Sequence, residues 1–86
     1  MSELDKLALY LDDNDIPYER IDKESIDSDI NRHQIIVRSK EGTRLWDAVC
    51  HYGSYGYEEG LLEVMGIITD EDVEGWLTAQ DVISRL

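Results

Sequence analysis

Apolar positions along this chain change their spacing from one segment to the next. Near the start Leu4, Leu7, Ala8 and Leu11 recur at i, i+3, i+4 and i+7, which is one face of a helix. Ser2 stands where an N-cap is needed and Asp5 follows three residues later, the arrangement of a capping box. The spacing predicts a helix near residues 3 to 14. Pro17 lies just beyond, and the run Asp12, Asp13, Asn14, Asp15 puts negative charge where the helix dipole opposes it, so the helix should stop there. Tyr18 to Ile21 reads as a short strand. Residues 22 to 31 are polar turn formers with two isolated isoleucines and read as a loop, expected to be the most mobile part.

The centre carries the clearest strand pattern. Two runs rich in β-branched and aromatic residues surround a connection that contains Gly42, which predicts a hairpin over residues 34 to 51. Alternation puts Trp46, Ala48, Cys50 and Tyr52 on one face and Leu45, Asp47, Val49 and His51 on the other. The first face is the better core candidate. The segment LLEVMGII fits either a helical turn or a buried strand, and periodicity over so few residues does not separate them. Val73 to Leu77 reads as a further strand with Trp76 buried. Thr78 with Asp81 forms a second capping box, and Leu77 with Val82 a hydrophobic staple, so a helix should span residues 78 to 86 with Val82, Ile83 and Leu86 as its buried stripe. The expectation is a single α+β domain over residues 1 to 86: N-terminal helix, three- or four-stranded antiparallel sheet, C-terminal helix. Both helices must cover one sheet face, because neither can bury its stripe alone.

Charge adds the next constraint. The 86 residues carry a net charge of −12, unevenly spread. Residues 1 to 31 hold ten acids and three bases, residues 32 to 57 two and four, and residues 58 to 86 eight and one. Such a field repels phosphate backbones and anionic lipid, so direct nucleic-acid or membrane binding is disfavoured and basic partners are favoured. The plain alternative is an acidic surface that serves solubility. A single cysteine, Cys50, excludes an intrachain disulfide and suits a reducing compartment. The first residues lack the pattern of an export signal, and no stretch approaches the about 20 apolar residues needed to span a bilayer, so the expected location is the cytoplasm.

Candidate chemistries fail one by one. Asp27, Asp29 and Asn31 match the first ligand positions of an EF-hand loop, but Arg32 stands where glycine is needed and Arg38 where glutamate is needed. Asp70, Glu71 and Asp72 could hold a divalent ion weakly, but acidic residues there also stabilise the start of a following helical turn. One cysteine and two histidines do not complete a zinc site. Cys50 and His51 should point to opposite strand faces, leaving His33 as the one base for a cysteine nucleophile, and a small buried thiol is the simpler reading. Gly53, Gly56 and Gly60 lack the lysine of a phosphate-binding loop. No cofactor, no metal and no enzymatic activity are expected.

What remains is HYGSYGYEEG. Tyrosines in a glycine-bearing loop offer large amphipathic contact area with little entropy to lose, so Tyr52, Tyr55 and Tyr57, with the adjoining His51, are the candidate partner-binding residues. The structural alternative is that the glycines turn the chain while the tyrosines cover the edge of the core.

The segments WDAVCHYGSYGYEEGLLEVMG and VEGWLTAQDVISRL together resemble a group of short acidic proteins of unknown function encoded in prophages and mobile elements of Firmicutes and related gut bacteria. The resemblance covers about half of the chain and implies a bacterial or phage cytosolic setting, without a mechanism. Two functional readings follow. One is an adaptor or regulator that docks through the sheet edge and the Tyr52 to Tyr57 loop onto another protein or onto its own copy as a homodimer. The other is an acidic, nucleic-acid-mimicking inhibitor that places carboxylates where phosphates would lie in a host or phage nucleic-acid-binding protein.

Overall fold

A computed structural model describes residues 1 to 24 and 31 to 86. Helix α1 (Glu3–Asp13) is followed by strands β1 (Glu19–Lys23), β2 (Arg32–Arg38), β3 (Arg44–Val49), β4 (Leu62–Gly66) and β5 (Val73–Leu77), and by helix α2 (Ala79–Ile83). The strands form one antiparallel sheet in the order β1-β2-β3-β4-β5, so each pairs with its neighbour in sequence. The α+β class and the two terminal helices are as the pattern predicts. Among the described residues the sheet has five strands, not three or four.

Both predicted capping boxes are present. Ser2 accepts from the Asp5 N–H and Thr78 from the Asp81 N–H, while each aspartate accepts from its cap's backbone N–H. The two helix starts also meet: Glu3 Oε1 accepts from the Ala79 N–H at 2.8 Å. Leu4, Leu7, Ala8 and Leu11 of α1 and Val82 of α2 pack on the same face of the sheet. There they meet Ile35 and Val37, Trp46 and Ala48, Leu62 and Val64, and Leu77. This is the core, with Trp46 only 3% exposed.

Several expectations need correcting. The segment left open between helical turn and strand divides: Leu62–Gly66 is strand β4, with partners on both sides, Ala48↔Val64 and Val64↔Glu74, and Ile67–Thr69 follows as a 3-10 turn. Strand β1 starts one residue later than Tyr18 and runs through Asp22 and Lys23, which pair with His33 and Arg32, so these two residues belong to a strand rather than to the predicted loop. Residues 25 to 30, including Asp27 and Asp29 of the failed calcium match, lie outside the described residues. Helix α2 ends at Ile83, so Leu86 is exposed rather than part of the stripe. Tyr52 lies beyond the end of β3 and is exposed rather than in the core.

Trp76 is the largest departure. It is 57% exposed, with φ at +56°, in a strand whose register shifts between Leu62 and Val64 of its partner. That shift turns Glu74 and Leu77 to the helix-covered side, where Glu74 pairs with Arg85, and breaks the alternation that would bury Trp76.

Candidate functional site

The connection from β3 to β4 is a loop whose backbone is tied down along its length. His51 O accepts from both the Ser54 N–H and the Ser54 hydroxyl, at 2.9 and 2.7 Å, and Ser54 Oγ accepts from the His51 N–H. Tyr52 N–H donates to Asn31 Oδ1 at 2.8 Å. Gly56, at φ +97°, then opens a short 3-10 turn over Tyr57–Glu59, which closes with Gly60 N–H donating to Tyr57 O. The loop is also fastened to the sheet. Tyr55 N–H donates to Glu63 Oε1 at 3.0 Å, and Trp76 N–H donates to Tyr55 O at 3.3 Å.

The approach of loop to strand is close enough to dictate glycine on both sides. A Cβ at Gly56 would lie 3.0 Å from the Trp76 Cα, and Gly75 leaves room for the side chain of Tyr55. The outcome is an aromatic cluster. Tyr55 and Trp76 stack with ring centroids 5.5 Å apart and planes 11° from parallel. Tyr52 and Tyr57 meet edge to face at 6.1 Å. These four rings, with Glu58 and Glu59, line an open cleft of about 570 Å³. Tyr52, Tyr55 and Trp76 are each more than half exposed.

The structure thus brings Tyr52, Tyr55 and Tyr57 together. It adds Trp76, which the strand pattern assigns to the core. His51 stands apart from the cleft lining; it is half-buried, and its Nδ1 has no hydrogen-bond partner among the described residues. A sequence signal for Trp76 did exist in Gly75, since glycine inside a strand often marks a bulge or a close backbone approach.

A second cavity, of about 550 Å³, opens beside the start of α1, where Arg20, Asp22, His33 and Cys50 share its lining. Cys50 and His33 are cross-strand neighbours, with Cys50 N–H donating to His33 O at 3.0 Å. The His33 ring is engaged by carboxylates: Nδ1 lies 2.8 Å from Asp22 Oδ1 and Nε2 3.1 Å from Glu24 Oε1. Burial pushes the Cys50 thiol above its ordinary pKa, the opposite of an activated thiolate. The His33 hydrogen bond, then that of Arg20, hold the Asp22 carboxyl below the usual range, against the opposing effect of burial.

Among the described residues no helix is long and apolar enough to cross a membrane, and no three His, Cys, Asp or Glu side chains converge as a metal cage. Comparison with known protein families, with curated proteins and with solved structures finds no match, so any function must be argued from this chain's own residues.

Proposed function

We propose that this protein is a non-enzymatic adaptor or regulator that docks on another protein through the cleft of Tyr52, Tyr55, Tyr57 and Trp76. The observation that carries the reading is the clustering of four aromatic residues, drawn from a loop and an edge strand, around one open concavity. Exposed aromatic surface of this kind is rare away from binding sites, and aromatic anchors dominate the energetics of protein interfaces. The loop's hydrogen bonds to Asn31, Glu63 and Trp76 hold it ready, so little conformational entropy is lost on docking.

The environments of Cys50 and His33 support a non-catalytic role, because the thiol is disfavoured as an anion and the imidazole is already occupied by two carboxylates. The carboxylates weigh against a phosphate mimic. Asp5, Asp22, Glu19 and Glu74 are paired with this chain's own cations, which leaves fewer for an array that imitates a nucleic acid. A bacterial or phage cytosolic setting is proposed on the resemblance to prophage-encoded acidic proteins.

The test is a doubly substituted chain, Tyr52→Ser with Tyr55→Ser, compared with the triple Asp12→Asn, Asp13→Asn, Asp15→Asn in affinity capture from a bacterial lysate at low and high salt. The tyrosine variant should keep its far-ultraviolet circular dichroism and lose its partner at both salts, whereas the aspartate variant should mainly associate more slowly. Undiminished capture by the folded tyrosine variant would refute the docking role of the cleft.

A further inference from the structure

The cleft's lining is chemically one-sided. Besides Ser54 and two glycines, its lining is four aromatic rings and two carboxylates, Glu58 and Glu59, with no lysine, arginine or histidine among the described residues. Ring faces carry the negative lobe of the aromatic quadrupole, so rings and carboxylates attract the same kind of group, a cation. The net charge of −12 adds a long-range pull in the same direction. Glu58 and Glu59 are exposed, and a neutral apolar occupant would gain nothing from them, whereas a cation can pair with either.

The shape of the site narrows the cation further. Tyr55 and Trp76 lie almost parallel and each stays more than half exposed, so the stacked pair is reachable from solvent. Glu58 and Glu59 are consecutive residues of the short 3-10 turn beside it. A flat aromatic shelf next to carboxylates suits a planar group that stacks and donates hydrogen bonds in a fork, which describes guanidinium better than the compact ammonium of lysine.

We propose that the cleft receives an arginine side chain from a basic segment of the partner protein, its guanidinium stacked on the Tyr55–Trp76 pair and hydrogen-bonded to Glu58 or Glu59. This rests on the reading of the cleft as a docking site and names what enters it.

The experiment titrates the full chain, isotopically labelled for NMR, with four peptides of one Gly-Ser-rich sequence that carry arginine, lysine, citrulline or leucine at the same positions. The arginine peptide should move the amide signals of residues 52 to 59 and of Trp76. Citrulline, which keeps the shape and removes the charge, should bind roughly tenfold more weakly, and lysine severalfold more weakly. Trp76→Asn, a residue that accepts positive φ, and Glu58→Gln with Glu59→Gln should each weaken the arginine peptide by about fivefold to tenfold while the fold is retained. Equal binding of arginine and citrulline, or shifts confined to residues outside the cleft, would overturn the proposal. If the leucine peptide occupies the cleft and the arginine peptide does not, the arginine proposal falls and the docking reading stands. If no peptide moves the cleft signals while the Tyr52→Ser, Tyr55→Ser chain still fails to capture its partner, again only the arginine proposal falls.

Discussion

The side chain of Tyr55 fills the space that a side chain at Gly75 would need, since a Cβ placed there would come within 2.3 Å of the Tyr55 Cβ. Gly75→Ala therefore cannot be accommodated without moving Tyr55 off Trp76. It should destabilise the domain by roughly 1 to 3 kcal/mol, the usual cost of overpacking, and change the near-ultraviolet circular dichroism of the stacked pair. An unchanged aromatic spectrum and melting temperature would show that the loop is not fixed to β5.

The two tryptophans should differ sharply in their effect on stability. Trp46 is 3% exposed within the core, so Trp46→Ala should cost roughly 3 to 5 kcal/mol, enough to unfold a domain of this size. Trp76→Asn removes a mostly exposed ring and relieves an unfavourable backbone conformation, so its melting temperature should stay close to that of the parent. Thermal denaturation of both variants checks the pair.

Which parts of the fold are legible in the sequence follows from which parts are governed by local rules. Ser2 with Asp5 and Thr78 with Asp81 are read correctly because a cap is settled within four residues. The central hairpin is legible from its alternation, and Trp46 and Ala48 do face the helices. Trp76 is misread because alternation assumes an unbroken pleat, whereas the irregularity in β5 is created by pairing with β4 and by contact with Tyr55. The ends of β1 and the nature of residues 62 to 66 are likewise fixed by partners distant in sequence. The same holds for the candidate site. Its three tyrosines share one glycine-rich segment, but its fourth ring reaches them through the tertiary fold.

Acid should weaken the ties around α1 and β1. Asp22 is held below its usual pKa by His33 and then Arg20, and Asp5 by Arg20 and then Ser2. A carboxyl whose pKa is depressed by folding adds stability that is complete above its unfolded value, about 3.9, and lost as pH falls through the lower folded value. Asp22→Asn should therefore lower the melting temperature at neutral pH and make no difference well below pH 4. A deficit that persisted at the lowest pH would mean that Asp22 acts through packing rather than charge.

Cys50 should react sluggishly while the domain is folded. Burial raises its pKa, so little thiolate is present at neutral pH. Alkylation by iodoacetamide at pH 7 should be much slower than for a free cysteine and should accelerate on adding denaturant. Rapid alkylation of the native protein would point to an activated thiol.

The meander order of the sheet bears on how the molecule comes together. Each strand finds its partner next to it along the chain, so the sheet can grow hairpin by hairpin through short closures. The hydrogen bond from Ala79 to Glu3 spans 76 positions, and the helix pair that it joins is the contact with the largest closure cost. The helices thus latch onto a sheet that can already exist without their mutual contact. Release of that latch would bare Leu62, Val64 and Ala48, the sheet residues on which the helices close the core. Amide hydrogen exchange should accordingly be faster in both helices than in β3 and β4.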